Sequence, residues 1–317
     1  MIGIQASQAE DPGFWRELAP ELGLESGAAA PRFDAGDSEQ LFTLLKREGY
    51  VNVPSVLPES FVAPLRRCVA TLHERRIPLA FAFVYDDFWQ AFRGLSTILT
   101  TVLGKSYRAL PDFWAWHVLA VDSAKGWEPH RDRIQPTLDP DNSPHTLTVW
   151  LPLTDATPLN GCIYALPAHL DDRFKLRRWD GDDNNHVKRP QDIRALPATS
   201  GSFLAWNQAL LHWGSRASRL AAGPRTSIAF EFQRGDKDPF NQPLLDPAVI
   251  PSFSTRLGLI GKQVLQYEHM YPLAPEVAAI ARKLKERYMP EAAKPAAVSA
   301  AAPSEIDWEE GSGGGGG

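Results

Sequence analysis

The sequence lacks the features that mark secreted, membrane-spanning or metal-ribbon proteins. Cysteine is scarce, because Cys68 and Cys162 are the only two and do not form a C-x-x-C pair. We therefore expect neither a disulfide framework nor a zinc ribbon, as in a protein of the reducing cytosol. No run of about 18 apolar residues is present, and residues 1–15 do not combine a basic segment with an apolar one. These absences predict a cytoplasmic protein without a transmembrane helix or a signal peptide.

Clustered positive charge is also missing. The chain has 33 Lys and Arg against 38 Asp and Glu, which gives a formal net charge of −5, and no block of basic residues stands out. Nucleic acids and anionic membrane surfaces are bound through clustered positive charge, so we expect neither as a partner. The composition is otherwise that of an ordinary folded protein, with 44% hydrophobic and 22% charged residues. It leaves the oligomeric state open.

The order of helical and strand-like patterns predicts a mainly β protein with flanking helices. Residues 38–110 have helical spacing, and residues 255–289 return to it. Between them, in residues 111–235, short aromatic and β-branched runs alternate with turn residues, as in an antiparallel sandwich or barrel. The predicted strands are Phe113–Val121, Thr146–Leu153, Cys162–Leu166, Ser202–Trp206 and Thr226–Gln233.

Glycine, proline and alanine set the predicted boundaries. In the N-terminal helical region, one helix ends at Gly49, a second opens at Pro58, and a third runs over residues 88–103. We expect residues 1–290 to form a single domain. Residues 291–317 are dominated by Ala, Pro and Gly, which cannot bury enough apolar surface to offset the entropy of ordering, so a disordered tail is predicted there.

A pair of metal-binding side chains stands at His130-x-Asp132. In an extended strand, residues two apart project to the same face, so the imidazole and the carboxylate can bind one ion together. His212 is the best-placed third ligand, and two histidines with one carboxylate form the facial triad of non-haem iron(II) oxygenases. The alternative pair is His169-x-Asp171. It lies 43 positions before His212, against 82 for His130, which leaves few strands between the ligands and favours the first pair.

The run from Gly223 to Gln233 alternates as a strand with two different faces. One face carries Phe230 and Phe232, and the other carries Arg225 and Ser227. The second face is either exposed to solvent or turned into a cavity while the phenylalanines pack beneath the flanking helices. In the cavity, the guanidinium fork would match a carboxylate with two parallel hydrogen bonds, and the Ser227 hydroxyl would add a third.

Further aromatic and basic residues are candidates for a substrate pocket. An aromatic-lined pocket is suggested by Phe113, Ala115, His117 and Leu119 on one face, with Trp150 and Trp213 near the presumed site. The charged segment 171–190 is either a lid over the site or a solvated insertion. As a lid, it would bring Arg177 and Arg178 to an anionic group of the substrate.

The order of these motifs resembles the phytanoyl-CoA dioxygenase family of iron(II)- and 2-oxoglutarate-dependent oxygenases. The resemblance covers roughly residues 38 to 235. The motifs that carry it are Glu48–Pro54, His130-x-Asp132, Thr148–Asp155, Asn160–His169, His212 and Arg225-Thr226-Ser227. Because they occur in the family's order, the resemblance is far more specific than any one of them.

The resemblance implies a double-stranded β-helix, or jelly-roll, core and a hydroxylase that acts on a small molecule. Its cofactors would be iron(II), 2-oxoglutarate and dioxygen, with succinate and carbon dioxide released. The implied metal ligands and catalytic residues are His130, Asp132 and His212. Arg225 and Ser227 would hold the distal carboxylate of 2-oxoglutarate. His117 and Trp150 are further candidates for its binding, although His117 is equally well explained as a core histidine.

Two departures from the family pattern are present. Pro167-Ala168-His169 is one residue shorter than the usual Pro-Gly-Ser-His, and the interval from His212 to Arg225 is slightly long. Arg216 and Arg219 are therefore alternatives for the cosubstrate arginine. Related halogenases carry a small residue in place of the carboxylate ligand, so the presence of Asp132 disfavours halogenation.

Two other functions are compatible with the motifs. A jelly-roll binding protein would keep the scaffold without the chemistry, since fold does not imply function. A cupin-like metal isomerase would use the metal without 2-oxoglutarate, and Arg225 would then have no carboxylate to hold.

Overall fold

The computed structural model describes most of the chain. The described residues are 3–25, 27, 29–122, 124, 126–133, 135–174, 189–268 and 273–289. Arg177, Arg178 and most of the predicted lid lie outside these ranges, and so does the predicted tail at 291–317. No helix within the described ranges combines the length and the apolar character needed to cross a membrane.

Helices occupy the N-terminal third and the C-terminal end of the described chain. They are α1 (Ala6–Ala9), α2 (Pro12–Leu18), α3 (Ser38–Glu48), α4 (Glu59–Glu74), α5 (Asp86–Arg93), α6 (Ser96–Leu103), α7 (Phe253–Gln266) and α8 (Pro275–Tyr288). Local sequence sets the limits of α3. The Asp37 carboxylate accepts hydrogen bonds from two backbone N–H groups of the first turn, and Gly49 ends the helix with a left-handed φ of 84°.

Eight strands within the described ranges form two antiparallel sheets. They are β1 (Tyr50–Val53), β2 (Arg108–Val118), β3 (Thr146–Pro152), β4 (Ile163–Ala165), β5 (Arg194–Leu196), β6 (Phe203–Asn207), β7 (His212–Gly214) and β8 (Arg225–Gln233). The larger sheet has the order β1-β6-β3-β8-β2, and the smaller has the order β5-β4-β7. This jelly-roll core with flanking helices confirms the predicted fold class.

The hydrophobic core fills the space between the larger sheet and the helices. The ring of Phe230 lies 5.3 Å from the rings of both Trp89 and Phe92 on α5, and Phe232 lies 6.2 Å from Phe92. All nine residues of β8 are buried. The interpretation in which the Arg225 face of this strand is exposed to solvent is therefore wrong.

Several boundaries differ from the sequence prediction. The third predicted helix is two helices, α5 and α6, which meet at Gly94, where a Cβ atom would lie 2.3 Å from the Phe33 ring. Strand β2 begins at Arg108 rather than Phe113, and 255–289 contains two helices with a break between them. Strands β1, β5 and β7 span only three or four residues, which is too short for a periodic signal.

Candidate metal centre

Three side chains converge between the two sheets. His130 and His212 exchange two backbone hydrogen bonds of 3.0 Å, which places their imidazoles side by side with ring centroids 4.5 Å apart. Asp132 lies two residues after His130, and its Oδ1 is 3.4 Å from Nε2 of His130 and 3.5 Å from Nε2 of His212. The ligand atoms of the three residues all lie within 4.8 Å of one another.

Backbone carbonyl groups fix the orientation of both imidazoles. Nδ1 of His130 is 2.7 Å from the Glu128 carbonyl oxygen, and Nδ1 of His212 is 3.1 Å from the Leu210 carbonyl oxygen. A carbonyl can only accept, so each Nδ1 carries the proton and each Nε2 keeps its lone pair for a metal. Burial lowers the pKa of His212 to about 4, which keeps this imidazole neutral at pH 7, as metal binding requires.

The carboxylate of Asp132 is held by two donors on one oxygen. Thr148 Oγ1 donates to Oδ2 at 2.8 Å and Trp206 Nε1 donates to the same oxygen at 2.9 Å, while Oδ1 faces the imidazoles. Burial by itself would raise the pKa of Asp132. The interactions of the carboxylate with His212, His130 and the Thr148 hydroxyl outweigh burial, so the pKa is lowered. The ionised carboxylate is thus oriented for binding through one oxygen.

A chain of polar side chains connects Thr148 to Glu231 and Asp112 on the larger sheet. Gln208 Nε2 donates to Thr148 Oγ1 at 3.1 Å, and Arg133 Nε donates to Gln208 Oε1 at 3.1 Å. Arg133 also forms ion pairs with Glu231 and Asp112. Burial raises the pKa of Glu231, and Asp112 adds to this shift, whereas the ion pair with Arg133 opposes it.

Arg225 contributes a buried positive charge to the same cavity. It is 3% exposed, its Nη1 donates to Ser227 Oγ at 2.8 Å, and its guanidinium lies 5.6 Å from the centre of the Trp150 ring. Burial lowers its pKa to about 10, which leaves it charged at pH 7. Among the described residues it has no carboxylate partner, and its buried Nε has no hydrogen-bond partner. A buried charge of this kind calls for an anionic ligand.

One cavity joins the metal-binding side chains to Arg225. It encloses about 530 Å³ of empty space, counted to its mouth. The lining residues in the described ranges include Trp114, Trp116, Trp127, His130, Asp132, Thr148, Trp150, Ile163, Trp206, His212, Arg225, Ala229 and Glu231. Two oriented imidazoles, one ionised carboxylate and a guanidinium without a carboxylate partner among the described residues fit a divalent metal ion with a carboxylate-bearing ligand beside it.

The predicted aromatic face of β2 points away from this cavity. His117 pairs with Thr226 on β8, its Nδ1 lies 2.9 Å from Thr226 Oγ1, and its ring lies 4.6 Å from that of His73 on α4. His117 therefore faces the helices and is not among the residues that line the cavity, so the structure does not place it where its predicted role in binding 2-oxoglutarate requires. Phe113 lies in the helix-side core, and Leu119 is 42% exposed. Because side chains alternate along a strand, Trp114 and Trp116 of β2 line the cavity instead.

Trp213 is also misassigned by the sequence prediction. It follows His212 on β7, so its side chain projects to the opposite face of the strand. There it stacks on Tyr164, with ring centroids 5.9 Å apart and an interplanar angle of 19°. Trp150, in contrast, lines the cavity beneath Arg225, and Ser227 hydrogen-bonds to that arginine.

The alternative ligands and arginines lie elsewhere. His169 is 47% exposed and is 3.3 Å from a Glu48 oxygen, whereas Asp171 pairs with Arg131 at 2.7 Å. Arg216 and Arg219 are both exposed, and Arg219 lies 3.8 Å from Asp122. None of these four residues lines the cavity.

Sequence reasoning missed most of the cavity's tryptophans. Trp114 and Trp116 come from β2, Trp127 precedes His130 by three residues, and Trp206 donates to Asp132. Trp114 and Trp116 alternate with Phe113, which belongs to the core, but the aromatic sequence of β2 does not indicate which of its two faces lines the cavity. Glu231 lies on the Arg225 face of β8, a face that the sequence pattern did identify.

Comparison with known proteins supports the sequence resemblance. Residues 81–221 match the family model described as Phytanoyl-CoA dioxygenase (PhyH). This stretch is a phytanoyl-CoA dioxygenase-family segment. The resemblance found in the sequence is therefore confirmed. The family segment contains His130, Asp132 and His212, and Arg225 lies four residues beyond it. None of the curated proteins matches the chain.

The solved structures that resemble this chain include three that contain bound 2-oxoglutarate, which is also called alpha ketoglutarate. EctD from S. alaskensis with 2-oxoglutarate and 5-hydroxyectoine is 13% identical over 70% of this chain and 90% of its own, with a TM-score of 0.49. HygX from Streptomyces hygroscopicus with nickel and 2-oxoglutarate is 16% identical over 64% and 89%, with a TM-score of 0.49. The epimerase SnoN with Fe3+, alpha ketoglutarate and nogalamycin RO is 18% identical over 68% and 94%, with a TM-score of 0.44.

Proposed function

We propose that the chain is an iron(II)- and 2-oxoglutarate-dependent oxygenase that hydroxylates a small molecule. The observation that carries this proposal is the pairing of two features in one cavity. One is a set of two histidines and one carboxylate whose ligand atoms lie within 4.8 Å of one another. The other is a buried arginine without a carboxylate partner among the described residues. The family match over residues 81–221 supports the same conclusion.

His130, Asp132 and His212 would hold the iron. The Glu128 and Leu210 carbonyl groups keep both Nε2 lone pairs directed at the ion, and the donors on Asp132 Oδ2 leave Oδ1 for it. Bound iron(II), with 2-oxoglutarate and dioxygen, supplies the oxidising chemistry that converts the cosubstrate to succinate and carbon dioxide and adds one oxygen atom to the substrate.

Arg225, Ser227 and Trp150 would bind the distal carboxylate of 2-oxoglutarate. The hydrogen bond from Arg225 Nη1 to Ser227 holds the guanidinium in place before the ligand arrives, which reduces the entropy lost on binding. The indoles around the site exclude water and strengthen the charge interaction between guanidinium and carboxylate.

Release of succinate from 2-oxoglutarate in the presence of iron(II) and ascorbate tests the proposal. We expect Arg225→Ala to raise the Kd for 2-oxoglutarate about 100-fold, because a buried charge pair loses one partner. Its metal affinity should stay the same. Arg219→Ala, which changes an exposed arginine, is the matched control and should leave both affinities unchanged.

Metal titration under anaerobic conditions tests the ligands themselves. His130→Ala and Asp132→Ala should abolish tight iron(II) binding, whereas His169→Ala should retain it. Iron binding without any succinate formation, and with 2-oxoglutarate affinity unaffected by Arg225→Ala, would contradict the proposal and favour a metal isomerase. Failure to bind iron at all would favour a binding protein without this chemistry.

A further inference from the structure

One wall of the cavity consists of three indoles. Trp114 and Trp116 lie on the inner face of β2, and Trp127 stands nearly perpendicular to both, at interplanar angles of 85° and 84°. Its ring centroid is 5.9 Å from that of Trp114 and 5.4 Å from that of Trp116. We call these three residues the indole wall. Trp127 also lies 5.1 Å from the His130 ring, so the wall borders the candidate metal centre.

A carboxylate follows the indole wall on the neighbouring strand. Trp114 pairs with Ala229 in the β2–β8 ladder, and Glu231 is the next inward-facing residue along β8. Glu231 is 4% exposed and lines the same cavity, and Arg133 binds its Oε2. Among the titratable residues that line the cavity within the described ranges, it is the one to which the proposed function gives no role.

The indole wall and Glu231 together favour a positively charged ligand. The faces of indole rings carry negative electrostatic potential and attract organic cations. Glu231 places a buried carboxyl group on the same cavity, with Arg133 bound to its Oε2. Arg225, the cationic side chain among the described lining residues, lies over Trp150 and would be neutralised by 2-oxoglutarate.

The edges of two of these indoles need an acceptor. Trp114 Nε1 and Trp127 Nε1 are buried and have no hydrogen-bond partner among the described residues. An unsatisfied buried donor is costly, so a ligand oxygen next to the cation would bind here favourably.

We propose that the substrate is an organic cation that also bears an oxygen atom, such as an amino alcohol or a hydroxylated quaternary ammonium compound, bound between the indole wall and Glu231. The identity of this ligand as the substrate rests on the proposed function. The binding site itself does not, because neither the three indoles nor Glu231 is one of the proposed metal ligands. A cation bound here would lie beside His130, next to the metal position.

Choline and 3,3-dimethylbutan-1-ol are the matched probes for this site. They share a shape and a hydroxyl group, and they differ in having a quaternary nitrogen or a carbon at the centre. Isothermal titration calorimetry on the full chain, with and without 2-oxoglutarate, would measure both affinities. We expect choline to bind about tenfold more tightly than its neutral analogue.

Variants locate the bound cation. Glu231→Gln and Trp116→Leu should each remove most of the preference for choline, with less effect on the neutral analogue. Trp213→Phe is the control, because this tryptophan stacks on Tyr164 outside the cavity, and it should change neither affinity. Should Trp116→Leu fail to fold, as judged by circular dichroism, Glu231→Gln alone decides.

The possible results separate this inference from the proposed function. Equal affinity for the two probes, no choline binding in the millimolar range, or a preference that survives Glu231→Gln would each overturn the cation site. Succinate formation from 2-oxoglutarate together with any of these results would leave the proposed function standing. A choline preference that depends on Glu231, in a chain that binds neither iron nor 2-oxoglutarate, would support the cation site and overturn the proposed function.

Discussion

The two hydrogen bonds to Asp132 Oδ2 lead to a quantitative prediction about metal affinity. Trp206→Phe keeps an aromatic ring beside His212, where the centroids are now 4.6 Å apart. It removes the indole donor at 2.9 Å from the carboxylate, together with part of the ring volume. A hydrogen bond to a charged group contributes about 1.5–3 kcal/mol. Since about 1.4 kcal/mol corresponds to a tenfold change, we expect the Kd for iron(II) to rise about 10- to 100-fold.

The second donor gives an independent check on the same oxygen. Thr148→Val removes the hydroxyl at 2.8 Å from Asp132, but it also takes the acceptor away from Gln208. This variant should therefore lose folding stability as well as metal affinity. Thr148→Ser keeps the hydroxyl and is the control. Because both donors act on one oxygen, the double variant should show a coupling energy of about 0.5 kcal/mol or more.

Anaerobic calorimetric titration with iron(II) measures these effects, and chemical unfolding separates them from loss of stability. Trp213→Phe provides a matched tryptophan control outside the cavity. A Trp206→Phe variant with wild-type metal affinity would refute the reasoning, because the indole donor would then have no part in orienting the carboxylate.

Two further predictions concern Ser227 and His117. Ser227→Ala should weaken 2-oxoglutarate binding about five- to tenfold, which is less than the loss of the arginine itself. The variant removes the hydroxyl that positions Arg225 and would contact the carboxylate, but it keeps the guanidinium. Unchanged affinity in a titration would contradict this role of Ser227. Burial lowers the pKa of His117 from an ordinary value of 6.5 to about 4, and His73 adds to this shift. As the pH falls, this histidine takes up a proton in the unfolded chain before it does so in the folded chain. Folding stability is therefore lost between about pH 6.5 and 4. His117→Gln should lose less stability than the wild type between pH 7 and pH 5 in urea unfolding, and equal losses would contradict this assignment.

The metal-binding pattern and the alternation of β8 could be predicted because each is local. His130 and Asp132 are two residues apart, a spacing that allows both side chains to reach one ion, and the polar and aromatic faces of β8 differ clearly in sequence. The packing of the metal-binding residues against the rest of the sheet is not local. It depends on the backbone pairing of His130 with His212, which only the folded chain shows.

The phase of β2 could not be read from its sequence. Both faces of this strand are aromatic, with Phe113 on one side and Trp114 and Trp116 on the other, so hydrophobicity does not distinguish the core side from the cavity side. The register also shifts between Ala109 and Phe113, which interrupts the alternation at the start of the strand. These two facts explain why the sequence does not predict that His117 faces the helices.

Trp213 illustrates a different limit. The assignment of His212 as a ligand already required Trp213 to face the other way in an extended segment. Strand β7 has only three residues, however, and no periodic pattern identified it as a strand. The prediction that Trp213 lines the cavity therefore depends only on its proximity to His212 in sequence.

The segment that carries Trp127 is attached to β7 at very close range. The Gly214 N–H donates to the Trp127 carbonyl at 3.1 Å, and a Cβ atom on Gly126 would lie 2.6 Å from Gly214 Cα. Such an approach excludes every side chain at position 126 unless the backbone moves. Protein engineers who want a wider range of substrates therefore have little to gain from remodelling this backbone contact. Shortening one of the indoles is the more practical route to extra room.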